Sequence, residues 1–354
     1  MGREDQLIKK LALAVPSEIG PRAPGDLART GVRLGIGDDA AVIVPARNAD
    51  LVVTCDAFLE GVHFLAGRHP PDSVGYKSLA RATSDLAAMG ATPRFFLLTL
   101  ALPQSFTGEW LSGFLPGMRR AARQLRVRLI GGDTTRSPSV SISITVFGEV
   151  APGRAITRAG ARPGDILYVT GSLGQAKLGL ELIRNCPPGE VKRLIRGQNR
   201  LLRQHLYPQI RVRLGEWLAK RRIASSPIAS SMIDISDGLS TDLGHLCAAS
   251  GVGARLWAER IPRVTIPARQ AKFARQRKLD PLEMALHGGD DYELLFTVPR
   301  RLAKRLRSAP EFRDITPIGE IERGNHILLV DSNGHAKPLK PAGWDPFGKL
   351  RPGS

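Results

Sequence analysis

Stretches of period-two and period-3.6 apolar spacing alternate along the chain, the two patterns that distinguish strands from helices. Residues 4–14 predict a short amphipathic helix, and 40–44 and 50–55 predict strands, the first of them buried. "DSVGYKSLARATSDLAAMGA" (72–91) sets small and apolar residues at helical spacing, with Gly90 as the stop. "RFFLLTLAL" (94–102) predicts a strand, 107–126 a helix, "VRLIGGD" (127–133) a strand ending in a glycine turn, and "VSISITVFGEV" (140–150) an alternating strand. "APGRAITRAGARPGD" (151–165) then breaks the pattern with Gly, Pro and Arg, and a domain boundary is expected there, between residues 1–150 and 151–354. Beyond it, "ILYVTGSLGQAKLGLELI" (166–183) and "MIDISDGLSTDLGHLCAASGVGARL" (232–256) each predict strand, glycine turn and helix, the second with a further strand. The stretch 283–298 ends in the strand "YELLFTV", 299–307 is helical, and 315–331 carries two short strands. Helices and strands mixed in this way specify an α/β or α+β fold.

Composition adds a size and a location. A chain of 354 residues corresponds to two domains at about 100–200 residues each, and 42% hydrophobic content supports a sizeable core. No uninterrupted apolar run approaches the ~20 residues of a membrane span, and "MGREDQLIKK" has no apolar core of a secretory signal. Cys55, Cys186 and Cys247 are far apart and odd in number, which argues against a disulfide framework or structural zinc. A cytoplasmic protein is expected.

The formal charge of +18 raises the question of nucleic acid. The basic residues, however, lie in helix-like stretches such as "RRAARQLRVR" (119–128), "RQAKFARQRK" (269–278) and "RRLAKRLR" (300–307), as solvated helix faces do. Aromatics at 5% leave few stacking platforms, so the charge is better matched to attraction of a small polyanion than to nucleic-acid binding.

Against this basic background, the acids gather where apolar strands meet glycine or small-residue turns. They are Asp38 and Asp39 in "LGIGDDAAVIV", Asp56 in "LVVTCDAF", Asp85, Asp133 in "LIGGDTTR", Asp234 and Asp237 in "MIDISDGL", and Asp290 and Asp291 in "HGGDDYELLF". Any one of them reads equally well as an N-cap or turn residue. As a set they read differently, because burying ionised carboxylates side by side is costly unless a cation neutralises them. Mg²⁺ is a hard ion that binds one or two carboxylates together with waters and phosphates, and this many acids implies several ions. No G-x-x-x-x-G-K-[ST] or kinase catalytic-loop motif is present, and "GSLGQAK" (171–177) reads as well as a plain strand-to-helix turn, so phosphate would be handled chiefly through metal. Among seven histidines none shows zinc spacing, and His63 stands out only by its place beside the acidic strand end.

"GIGDDAAVI", "TCDAFLEGVHF", "SDLAAMGA", "LIGGDTTR", "TRAGARPGD", "DISDGLSTDLGH" and "GGDDYELLF" follow one another between about residues 34 and 297. This ordered set closely resembles the thiamine-monophosphate kinase family, in the superfamily of aminoimidazole ribonucleotide synthetase and selenophosphate synthetase. The resemblance implies an N-terminal α/β domain that forms a shared barrel with its twin in a homodimer, and a C-terminal α/β domain across a cleft. It implies ATP-dependent phosphorylation of thiamine monophosphate to thiamine diphosphate with several Mg²⁺ ions. Carried over by motif, Asp39, Thr54, Asp56, Asp85, Asp133, Asp234 and Asp237 would be metal ligands, with Asp56 and Asp133 central to catalysis. Gly132, Arg158 and Ser236 would contact ATP, and His63, Asp290 and Trp344 in "PAGWDPF" the thiamine phosphate.

Two positions depart from the family pattern. Cys55 stands where Thr is usual, leaving its backbone carbonyl as the metal contact, and Asp290 stands where Glu is usual, one methylene shorter. Selenophosphate synthetase would carry a reactive Cys near the N-terminus and the hydrogenase-maturation relatives one at the C-terminus. Neither the first fifty-four residues nor the final "RPGS" contains one. A basic nucleic-acid binder without ATP turnover is the contrasting class. The sequence also shows no histidine–aspartate pair to serve as a general base, which favours an acceptor that is already ionised.

Overall fold

The computed structural model describes residues 3–17, 31–187, 190–191, 193, 200–223, 226–307 and 314–347. The final "RPGS" lies outside them. In chain order the elements begin with α1 (Arg3–Ala14), β1 (Val32–Leu34), β2 (Val42–Ile43), β3 (Asp50–Leu59), α2 (Pro71–Ala88) and β4 (Thr92–Leu102). There follow α3 (Glu109–Leu125), β5 (Arg128–Arg136), β6 (Ser141–Val150), β7 (Ile166–Thr170), α4 (Gln175–Asn185), α5 (Arg200–Leu206) and α6 (Val212–Lys220). The remainder comprises β8 (Arg222–Ile223), β9 (Ser226–Pro227), β10 (Ser231–Ile235), α7 (Leu239–Ser250), β11 (Gly253–Trp257), α8 (Ala268–Gln276) and α9 (Pro281–His287). Last come β12 (Glu293–Val298), α10 (Ala303–Arg307), β13 (Ile315–Glu322), β14 (Ile327–Val330) and β15 (Ala336–Pro338).

By their internal contacts these elements form two compact units, Met1–Ala155 with Leu182–Arg221, and Ile156–Glu181 with Arg222–Ser354. The chain passes from one to the other at Ala155/Ile156, inside the stretch read as a boundary, and returns for α5 and α6, a segment that carries no motif in the sequence.

The first unit is built on a four-stranded sheet in the order β3-β6-β4-β5, antiparallel except for the β4–β5 pair. Alternation places Ile142, Ile144 and Val146 of β6 on the face covered by helices, where all three are fully buried. Helices α2 and α3 lie over that face. They approach closely because Gly75 and Gly117 stand at their crossing; a Cβ at Gly117 would lie 1.7 Å from Asp72 O. Leu111, Phe114 and Met118 of α3 become inaccessible, each stabilising the unit by about 1.5–3 kcal/mol through burial. The opposite face is open along β3, where Leu51 is 43% and Val53 51% exposed.

Two elements of this unit differ from the sequence reading. The strand over 40–44 is only the two-residue β2, and Val42 remains 41% exposed, because β2 pairs with β1 alone in a separate two-stranded sheet. The glycine pair Gly131–Gly132 does not end β5. The strand continues to Arg136, and Gly132, at φ +150°, brings its backbone against β4, where a Cβ would fall 1.9 Å from Leu98 O.

The second unit has a seven-stranded sheet in the order β10-β12-β7-β13-β11-β14-β15, in which only β11 and β14 run parallel. Leu167, Val169, Ile233, Ile235 and Leu295 from its strands pack with Leu239, Leu243 and Leu246 of α7 and with Ala285 and Leu286 of α9. Strand β12 is buried at every position, Glu293 included, whose carboxylate is satisfied by the Thr170 hydroxyl.

Candidate active site

Most acids of the first unit sit in turns or on edge strands, where the fold leaves them open to solvent, and Asp85 is half-buried on α2. Asp38 and Asp39 follow Gly37, and the Asp38 carboxylate accepts the Asp39 N–H at 2.8 Å, so Asp38 closes its own turn. Asp39 then lines a cleft of about 1150 Å³ with Gly132 and Asp133 of β5, its apolar wall made by Leu97, Ile130 and Phe147 among others. Close strand packing at Gly132 is what carries Asp133 to the rim of that cleft.

Strand alternation sorts the β3 residues. Thr54 and Asp56 share the face of Val52 and Phe58, toward the helices, whereas Cys55 is exposed on the other face with its sulfur 3.4 Å from Ser143 Oγ. The Thr54 hydroxyl donates to Asp85 Oδ2 at 2.5 Å, which joins β3 to α2. Asp56 Oδ2 lies 3.4 Å from Arg81 Nε, one turn before Asp85 on α2. Arg81 also donates to Ala57 O at 3.2 Å and lies over the Phe58 ring. His63 stacks on that same Phe58 ring, 5.6 Å between centroids, and its Nδ1 accepts the Leu59 N–H at 3.0 Å.

In the second unit the acids gather around the turn from β10 into α7. Asp234 is buried, and Ser236 and Asp237 are half-buried. Asp242, on the first turn of α7, reaches back to accept the N–H groups of Asp237 at 3.1 Å and Gly238 at 3.0 Å. Burial, then the charges of Asp234 and Asp237, push its carboxyl up to about 8 despite those two donors. The Asp290 N–H donates to Ser236 O at 2.7 Å, and Trp344 N–H donates to Asp237 O at 2.9 Å. Asp290 adopts φ +65°, a left-handed conformation that Asp tolerates better than most residues, and its carboxylate accepts the Tyr292 hydroxyl at 2.8 Å. Asp291 turns the other way and is buried, accepting from Gly174 N at 2.9 Å and Ala176 N at 3.4 Å at the start of α4. Arg158 is exposed, its carbonyl held by Ser250 Oγ at 3.0 Å.

The structure therefore brings the expected residues together in three groups: Asp39, Gly132 and Asp133; Thr54, Asp56 and Asp85, with His63 nearby; and Asp234, Ser236, Asp237, Asp290 and Trp344. Of the acids gathered at strand ends, the expectation of burial holds for Asp234 and Asp291 alone. Those of the first unit stay in contact with solvent, Asp39 in a turn, Asp56 and Asp133 on the edge strands β3 and β5, and Asp85 half-buried on α2. Arg81 and Asp242 were missed. Arg81 precedes Asp85 by four residues, the spacing that puts two side chains on one helix face, and Asp242 is an acid in the first turn of a helix after glycine.

Among the described residues no three Asp, Glu, His or Cys side chains converge to hold an ion by themselves. Carboxylates presented in ones and twos, with a threonine hydroxyl and main-chain oxygens beside them, nevertheless form an oxygen-only donor set of the kind Mg²⁺ takes when phosphates and waters complete its shell. The Cys55 sulfur, turned to the other face, is outside that set.

Comparison with known proteins now decides the family. The "AIR synthase related protein, N-terminal domain" model matches residues 37–150, and its C-terminal counterpart matches 162–331. The thiamine-monophosphate kinase of Escherichia coli K12 is 40% identical over 326 residues, 90% of this chain and 94% of that protein. The chain belongs to the thiamine-monophosphate kinase family. The crystal structure of the Stenotrophomonas maltophilia K279a thiamine-monophosphate kinase shares the fold at a TM-score of 0.76 and 36% identity, covering 94% of this chain and 96% of that one. A second family structure, "AaThiL complexed with AMPPCP and TMP", matches at a TM-score of 0.71 and 32% identity over 88% of this chain and 92% of its own. The two-domain fold that the motifs implied is thereby shown. No helix of the described residues is long and apolar enough to cross a membrane.

Proposed function

We propose that the chain phosphorylates thiamine monophosphate to thiamine diphosphate at the expense of ATP, by direct in-line transfer with several Mg²⁺ ions. The observation that carries this reading is the oxygen-only acid set, carried on one ordered series of motifs. The E. coli relative is named for this activity, and a family structure holds AMPPCP and TMP.

Asp39, Thr54, Asp56, Asp85 and Asp133 of residues 1–150, and Asp234 and Asp237 of residues 151–354, are assigned to Mg²⁺, with the Cys55 carbonyl as a main-chain donor. Bound Mg²⁺ neutralises the phosphate charge that develops during transfer. Gly132, Arg158 and Ser236 are assigned to ATP, and His63, Asp290 and Trp344 to the thiamine phosphate. The Asp56–Arg81 and Thr54–Asp85 contacts fix two of the carboxylates in place before phosphate arrives, so that little reorganisation remains at the moment of transfer.

No general base is required. A phosphate monoester has a second pKa of about 6 and is mostly dianionic near neutrality, so its oxygen attacks the γ-phosphoryl directly. The structure does contain two histidine–acid pairs that the sequence reading lacked: His335 Nδ1 at 3.4 Å from Asp331, in an exposed turn, and His287 Nε2 at 3.6 Å from Glu283, whose ring faces the buried Ser240 hydroxyl. The reading also includes a cytoplasmic homodimer. The open face of β3, with Leu51 and Val53 unusually exposed, is where a twin sheet would close a barrel.

The direct test offers ATP, Mg²⁺ and either thiamine monophosphate or thiamine to the purified protein. Thiamine diphosphate is expected from the first acceptor and negligible phosphorylation of the second. Comparable phosphorylation of thiamine, or a competent phosphoenzyme, would defeat the mechanism.

A further inference from the structure

We infer that Ser240 and Thr241 strap the segment Ala342–Trp344 onto the first turn of α7, and so position Trp344 as a wall of the acceptor site; this rests on the kinase reading above. Three successive amides of a segment outside any helix or strand are taken up by that one turn. Ala342 N donates to Ser240 Oγ at 3.3 Å, Gly343 N to Thr241 Oγ1 at 3.1 Å, and Trp344 N to Asp237 O at 2.9 Å. Such amides in a surface segment would ordinarily bond water. Their convergence here fixes the backbone that leads into Trp344, up to its own N–H.

Gly343 permits the fit. A Cβ there would fall 2.0 Å from Asp237 O and 2.7 Å from Thr241 Oγ1, so any side chain would lift the segment away. Ser240 is itself braced, its oxygen 2.8 Å from His287 Nδ1. The row Ser240–His287–Glu283 has the residue types of a nucleophilic triad. Ser240 is only 1% exposed, however, and its oxygen already holds the Ala342 amide, so the row acts as a brace.

What the strap presents is a large aromatic ring kept out of the core, since Trp344 is 42% exposed. Its anchor is specific. Ser236 O holds the Asp290 amide and Asp237 O holds the Trp344 amide, so two of the three residues assigned to the acceptor hang from consecutive carbonyls of the loop assigned to ATP and metal. Asp242 holds that loop in turn through the amides of Asp237 and Gly238. An indole face so placed suits a cationic heteroaromatic ring such as the thiazolium of thiamine. Ser240 and Thr241 act through Trp344 and are positioning residues.

Steady-state kinetics of the full chain test this with Thr241→Val, Thr241→Ser, Gly343→Ala and Trp344→Leu. Thr241→Val and Gly343→Ala are expected to raise KM for thiamine monophosphate about tenfold, as Trp344→Leu does, while kcat and KM for ATP stay within about twofold. Thr241→Ser, which keeps the hydroxyl, is expected to restore KM. Tryptophan emission, compared with that of Trp344→Leu to isolate this ring from the other three, should report a more solvated Trp344 in Thr241→Val and Gly343→Ala. Wild-type turnover with an unchanged KM in Thr241→Val and Gly343→Ala, or an equal rise in KM for ATP, would overturn the inference alone. A wild type with no turnover of thiamine monophosphate would overturn the kinase reading and the inference together.

Discussion

The Thr54 hydroxyl on β3 donates to Asp85 Oδ2 on α2 at 2.5 Å, so two motifs thirty-one residues apart share one hydrogen bond. Both residues are half-buried, and a hydrogen bond to a charged group in such a place contributes about 1.5–3 kcal/mol. Thr54→Val keeps the shape and removes the donor. It is expected to raise the Mg²⁺ concentration needed for half-maximal activity several-fold, with Thr54→Ser close to wild type. A Mg²⁺ titration that superimposes on the wild-type curve would count against a metal role for this pair.

Asp56 and Asp133 carry the assigned charge neutralisation most directly. Asp56→Asn and Asp133→Asn are each expected to lower kcat by roughly a hundredfold or more with an unchanged far-UV circular dichroism spectrum. Near-normal turnover in both at saturating Mg²⁺ would refute the assigned site.

The uncovered face of β3 makes a claim about assembly. Light scattering at micromolar concentration is expected to give twice the 38.3 kDa mass of one chain. Val53→Glu, which places a charge on that face without touching the core beneath α2, is expected to shift the mass toward one chain. A monomeric wild type would remove the dimer from the proposal.

Asp291 predicts a pH dependence of stability. Burial is the main cause that pushes its carboxyl up to about 8, from 3.8, with the Gly174 and Ala176 amides opposing and the Glu293 and Asp290 charges adding to the rise. Between those two pH values the unfolded chain has released a proton that the folded chain keeps. Unfolding therefore releases a proton and becomes easier as pH rises from about 4 to 8. Asp291→Asn removes that titration. The urea midpoint of the wild type should fall relative to that of Asp291→Asn across this window, and a constant difference between the two would show that Asp291 stays ionised in the fold.

Much of this protein is determined by short-range pattern. Period-two and helical spacing specified the strands β3, β4 and β6 and the helices α2 and α3 to within a few residues, because each buries one face and the burial must repeat with the element. The motif series likewise specified the family, since acids next to glycine turns follow from local backbone demands as well as from chemistry. Tertiary structure alone decided the rest. Whether Gly131–Gly132 ended β5 or ran on depended on parallel pairing with β4, a contact with a chain segment some thirty residues away. Whether β2 was buried depended on how many strands stood beside it. The partners of Asp56, Asp85 and Trp344 lie on other elements, and no periodicity along the chain encodes a distance across it. Arg81, Asp242 and the strap on Trp344 became visible only when folding closed those distances to hydrogen-bond or ion-pair range.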